Sequence, residues 1–220
     1  MLENVAAGSG DIQSDSSDGN LVSQATQHFT AIVLVDYDNI RPIAEQATND
    51  AADNLIRIRE WIADALTQIP VKVNEVSLRI YGGWTDEQGT LTRKGNWVLA
   101  SLSNVRGLLN GVRYLPYLPI SIAAKQLRLK GLYRTNRSLP EQKMVDTLMA
   151  VDALHFCEGE PVVLAIATDD DDLVPVLLAA SMKHCKACCL LRFRRKGEAL
   201  NDEALDDQGV RVIKLGALPR

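Results

Sequence analysis

The chain has 220 residues, of which 46% are hydrophobic and 24% charged, ordinary proportions for a globular protein able to build a sizeable core. Its 28 acidic residues against 24 basic ones give a formal net charge of -4; that excludes a generally basic nucleic-acid coat protein but not a nucleic-acid enzyme, where local patches and bound metal outweigh the total. No apolar run reaches the roughly 18 residues needed to span a bilayer, and the chain does not open with a basic segment followed by an apolar one, so the expectation is a cytoplasmic protein with no membrane partner.

Residues 1–28 are rich in Gly, Ser, Asp and Asn, and Ile12 is the one bulky apolar residue between Gly8 and Asn20. Such a stretch buries too little surface to offset its ordering entropy, which predicts a mobile tail ahead of a domain covering 29–220. Residues 31–35 form a continuous apolar run that stops abruptly at Asp36, as expected of a strand buried on both faces. Residues 40–68 read as helical with a break at Asn49-Asp50, and Leu55, Ile58, Ile62 and Leu66 share one face of the second segment. Residues 71–81 predict the next strand, broken by Gly82-Gly83. Residues 96–109 predict a helix, while 112–134, with Pro116 and Pro119, give no clear element.

Leu139-Pro140-Glu141 places a proline and an acid where helices start, predicting a helix from there to about Cys157. Residues 162–167 form a second fully apolar strand, followed by a helix over 173–183 with Pro175 in its first turn. Strands are expected at 187–193 and 210–214. Strands alternating with helices predict an α/β fold with a mostly parallel sheet. Ligands of such sheets sit beyond the carboxyl ends of the strands.

Both fully apolar strands end in acid. The first runs into Asp36-Tyr37-Asp38-Asn39 and the second into Thr168-Asp169-Asp170-Asp171-Asp172. If the two strands are parallel neighbours, these carboxylates share one rim. Asp146, on the helix between them, heads a stripe containing Met149, Ala150 and Ala153. Two carboxylates about 4 Å apart repel by roughly 4 kcal/mol at an effective dielectric of about 20, so a group of them takes up protons or binds a cation. Oxygen donors without histidine or cysteine suit Mg²⁺ or Mn²⁺. Asp36, Asp146 and the acids of the 169–172 run are the candidate metal-binding and catalytic groups. Asn39 is placed to orient Asp36 or a bound water. Thr168 is a candidate hydrogen-bond donor to carboxylate or phosphate, or simply a β-branched strand end. Asp38 has an alternative role as the cap of the following helix, and Asp171 or Asp172 as the cap of the helix after the run.

These motifs resemble the NYN domains, a branch of the PIN-like nuclease fold. Val35-Asp36-Tyr37-Asp38-Asn39-Ile40 resembles the family's opening motif, and Lys143-Met144-Val145-Asp146 its central lysine-to-aspartate helix. Residues 168–175 resemble the third motif, with Val174-Pro175 aligning Asp170 and Asp172 on its two acids; Asp169, Asp171 and Leu173 depart from its usual glycine, serine and phenylalanine. Tyr81-Gly82-Gly83-Trp84 is also typical of bacterial members. The resemblance implies a three-layer sandwich around a mostly parallel sheet, a metal-dependent ribonuclease hydrolysing RNA phosphodiester bonds, and Asp36, Asp146, Asp170 and Asp172 as its metal-binding and catalytic set.

RNA requires positive charge. Lys143 is a candidate phosphate contact, and Lys125, Arg128, Lys130, Arg134 and Arg137 form an acid-free basic stretch with Tyr133 interleaved. Arg192, Arg194, Arg195 and Lys196 form a second. Three of the four cysteines, at 185, 188 and 189, crowd together; that is no disulfide framework, and a reducing compartment is expected. His184 and its neighbouring cysteines lack a second ligand pair at zinc-finger spacing. Two other functions fit the motifs: a non-catalytic RNA-binding module, and a haloacid-dehalogenase-like phosphatase using Asp36 as nucleophile. Homo-oligomerisation is left open.

Overall fold

The computed structural model describes residues 28–40, 50–86, 89–119, 145–160, 162–183, 185–193 and 202–215, and the backbone alone of 133–136 and 139–142. The expected N-terminal tail lies outside the described residues. Seven strands form one sheet: β1 (Phe29–Asp36), β2 (Val73–Tyr81), β3 (Gly107–Leu109), β4 (Val112–Tyr117), β7 (Val163–Ala167), β8 (Ala187–Arg192) and β9 (Val210–Lys214). Their order is β3-β4-β2-β1-β7-β8-β9. All neighbours are parallel except the edge strand β3, which joins β4 through a short antiparallel turn. A separate antiparallel ribbon pairs β5 (Tyr133–Asn136) with β6 (Leu139–Gln142).

Helices cover both faces, giving three layers. β1 shows why: Ala31, Val33 and Val35 belong to one core, Ile32 and Leu34 to the other, as alternation along a strand requires. On the first face lie α1 (Ala51–Leu66) and α2 (Arg93–Ser101), with Leu55, Ile58, Trp61, Ile62 and Val98 buried against the sheet. On the second lie α3 (Val145–Phe156), α4 (Val174–Ser181) and α5 (Asp202–Asp207) through Met149, Ala153, Leu177, Ala180 and Leu205. Asp50 caps α1, accepting from the backbone N–H of Ala52 and Asp53, at the break expected beside Asn49.

Two predicted helices are corrected. α2 starts at Arg93 rather than Asn96, because Thr92 Oγ1 accepts from Gly95 N and caps it. It gives way to a 3-10 turn at Leu102–Val105 and then to β3. The helix expected from Pro140 begins at Val145 instead, and Leu139–Gln142 is a strand. Pro140, opposite Thr135, is tolerated there because each strand of a two-stranded ribbon has an open edge needing no N–H.

Candidate functional site

Strand order runs outward from β1 and β7 in opposite directions, to β2 and β4 on one side and β8 and β9 on the other. At such a reversal the loops leave toward opposite faces and open a crevice at the carboxyl ends of the strands. Asp36 ends β1 at that point, and Thr168 follows β7. They touch: Thr168 Oγ1 donates to Asp36 Oδ2 at 2.8 Å, and Asn39 Nδ2 donates to the same oxygen at 2.9 Å. Asp36 Oδ1 accepts no hydrogen bond among the described residues. The residue is 1% exposed. Burial pushes its carboxyl up to about 6, the two hydrogen bonds oppose the rise, and the charges of Asp146 and Asp38 add to it.

Asp146 sits in the first turn of α3, which leads back into β7 and so begins near the carboxyl ends of the strands. It is exposed, although Met149 and Ala153 behind it are fully buried. Partial burial holds its carboxyl above the ordinary range, reinforced by Asp170, Asp172 and Asp38. These carboxylates therefore feel one another across the loops that carry them.

The four consecutive aspartates divide by position. Asp169 Oδ1 accepts from Phe193 N at 2.9 Å, and its own N–H donates to Asn39 O. Asp171 pairs with Arg192, which is buried at the end of β8. Both therefore tie the loop to β8. Asp170 N–H donates to Thr168 Oγ1, and Asp170 Oδ1 accepts from Asp172 N at 3.0 Å. Asp170 is thus the cap of the 3-10 turn Asp171–Leu173, in place of Asp171 or Asp172. The Asp172 and Asp146 carboxylates accept no hydrogen bond among the described residues.

Asp38 is also occupied. Its Oδ2 accepts from Gly83 N at 3.0 Å, and its Oδ1 forms an ion pair with Lys94. That explains the Tyr81-Gly82-Gly83-Trp84 segment: Trp84 is buried with Nε1 donating to Ile80 O, and a Cβ on Gly82 would lie 2.7 Å from its ring. Asp152 takes a 2.5 Å bond from the Tyr81 hydroxyl and a 3.2 Å contact from Arg79, whose guanidinium lies 4.8 Å from the centroids of both Tyr117 and Phe156.

The remaining expectations fall unevenly. Lys143, Lys125, Arg128 and Lys130 lie outside the described residues, and Arg134 is in β5, described by backbone alone. Arg192 is withdrawn from the second basic stretch because it is buried against Asp171. Cys157 and Cys185 are joined in a disulfide between the end of α3 and the approach to β8, with Cα atoms 5.7 Å apart, contrary to the expectation of unpaired cysteines. Cys188 and Cys189 are buried in β8, and burial pushes their thiols up to about 11 and about 12. Sequence reasoning missed Lys94, Arg79 and the anchoring of Asp169 and Asp171. Only a cap signal at Thr92 pointed to the first, since it marks the residues of an N-terminal helical turn.

Oxygen-only donors with unclaimed atoms suit a hard divalent cation. Among the described residues, however, no three His, Cys, Asp or Glu side chains are gathered as a group that could hold a metal ion in this arrangement. No described helix is long and apolar enough to cross a membrane. Fold and site together define a three-layer α/β protein with a carboxylate-lined crevice at its strand-order reversal. No family model and no curated protein matches the chain. Among solved structures it is similar to a protein of unknown function from Vibrio parahaemolyticus, at 14% identity and a TM-score of 0.46, over 86% of this chain and 93% of that one.

Proposed function

We propose that the chain is a metal-dependent endoribonuclease of the PIN-like NYN type, with Asp36, Asp146, Asp170 and Asp172 holding Mg²⁺ or Mn²⁺. The observation that carries this reading is the division of the acids. Asp38, Asp152, Asp169 and Asp171 are bound to donors, whereas among the described residues Asp36 Oδ1 and the Asp146 and Asp172 carboxylates accept no hydrogen bond. Carboxylates that need only a structural partner acquire one; those left mutually repelling are suited to a cation.

Asn39 and Thr168 hold one oxygen of Asp36 fixed, which leaves the other as the available ligand atom. Thr168 also receives the Asp170 N–H, so one hydroxyl sets the spacing between the two loops. Asp170 retains Oδ2 beyond its capping bond. When bound, Mg²⁺ or Mn²⁺ supplies the positive charge that lets these carboxylates ionise together and that stabilises charge on a phosphoryl group under attack. The phosphatase alternative needs Asp38 free beside Asp36 as the second member of its acid pair, and Asp38 is committed to Gly83 and Lys94.

The test is cleavage of single-stranded RNA with Mg²⁺ or Mn²⁺ by wild type, Asp36→Asn and Asp170→Asn. Wild type is expected to cut only with metal, and both variants to lose cleavage while remaining folded. Binding without cutting under either metal would identify a non-catalytic RNA-binding module, and variants that cut normally would remove the site. A trapped aspartyl phosphate at Asp36 would favour the phosphatase.

A further inference from the structure

Beside the acids, the first turn of α2 carries the opposite charge. Lys94 pairs with Asp38 and lies 5.4 Å from the centroids of both the Tyr37 and Trp84 rings. Those rings pack edge to face, 5.5 Å apart. The helix under Lys94 has little freedom to shift, since a Cβ on Gly95 would lie 2.6 Å from Trp84 O. Asp38 lies two residues beyond Asp36 on the loop that leaves β1, so the cation paired with it stands beside the site. An ammonium has three donors. Asp38 takes one, and the Lys94 side chain is 47% exposed.

Trp97 lies three residues beyond Lys94 and four beyond Arg93, on the same side of the helix. It is 38% exposed, whereas Trp61 and Trp84 are buried. The Arg93 guanidinium sits 4.3 Å from its ring centroid. A fixed cation and an exposed cation–aromatic pair are thus continuous with the carboxylate crevice.

We propose that Arg93, Lys94 and Trp97 form the binding edge for an unpaired stretch of RNA, with Lys94 on a phosphate and the Arg93–Trp97 pair stacked on a base. This rests on the reading of the neighbouring site as one that acts on RNA. Indole and guanidinium planes both stack on nucleobases regardless of identity. A phosphate is what a half-exposed ammonium with spare donors takes from solution. A base locked in a duplex presents no free face, so the edge selects single strands or loops.

The experiment uses the full chain in EDTA, so that no cleavage intervenes, and follows tryptophan emission. The probes are a single-stranded RNA oligonucleotide and an abasic strand of the same length. Wild-type binding of the base-bearing strand is expected to quench Trp97. Trp97→Ala is expected to weaken that binding about fivefold or more, to leave the abasic strand unaffected, and to be largely rescued by Trp97→Phe. Lys94→Ala is expected to weaken both strands and to lower the slope of log affinity against log salt by about 0.7. Binding without a change in emission, a Trp97→Ala variant that binds both strands as wild type does, or a wild type that binds neither overturns the proposal. Binding in the expected way by a chain that never cuts leaves this inference standing and removes the ribonuclease reading. Normal cutting and binding by Trp97→Ala does the reverse.

Discussion

On the β8 side of the crevice every described acid has a partner. Asp169 takes the Phe193 N–H, and Asp171 takes a guanidinium that is almost wholly buried. On the β1–α3 side, Asp146 and Asp172, the latter one residue past Asp171, have none among the described residues, and Asp36 Oδ1 accepts no hydrogen bond there. The chemical groups are identical, so the difference lies in what the fold places opposite them. Acids facing β8 hold the loop in place, while acids facing β1 and α3 accumulate unbalanced charge. Only the second arrangement is costly without a ligand, and only there does burial push a carboxyl up to about 6.

The largest effect expected from breaking that contrast comes from Asp36→Asn. The folded chain raises this carboxyl from 3.8 to about 6, so between those values it holds more protons than the unfolded chain. The contribution to stability is present below about pH 4 and lost as pH rises through about 6, by about 3 kcal/mol in all. The variant keeps an oxygen for Asn39 and Thr168. Without metal it is expected to exceed wild type in stability above pH 6 by up to about 3 kcal/mol, converging with it near pH 4. Urea midpoints at pH 4.5 and 7.5 measure this. Asp171→Ala is expected to act in the opposite direction, costing about 2 kcal/mol by leaving Arg192 buried and unpaired, with RNA cleavage retained. Tyr81→Phe removes the hydroxyl from Asp152 and is expected to cost about 1 kcal/mol in the same urea assay. Asp172→Asn is expected to leave stability within about 0.5 kcal/mol of wild type while suppressing cleavage. Equal behaviour of the Asp171 and Asp172 variants in both assays would dissolve the contrast.

Much of this architecture was legible in local pattern. The apolar runs before Asp36 and Thr168 identify two buried strands, and the parallel pairing of β1 with β7, which local pattern leaves as a condition, puts their acids on one rim. The division of the aspartate run was not legible, because it depends on where β8 stops. The partners of Asp169 and Asp171 lie 24 and 21 residues further along the chain. Asp38 finds Gly83 and Lys94 at separations of 45 and 56, so a local reading offered a helix cap instead. The Cys157–Cys185 pairing likewise requires the end of α3 to meet the approach to β8. At Leu139-Pro140-Glu141 a true local preference for a helix start loses to pairing with Tyr133–Asn136. The start of α2 at Arg93 is set by the Thr92 cap, which lies ahead of the apolar pattern that begins at Trp97.

The most direct measurement is the anomalous diffraction of a Mn²⁺-soaked crystal. A peak is expected beside Asp36 Oδ1, with carboxylate oxygens of Asp146 and of Asp170 or Asp172 moved in to meet it. No peak at that position under millimolar Mn²⁺, or a peak confined to the Asp169–Asp171 side with Arg192 displaced, would contradict the account.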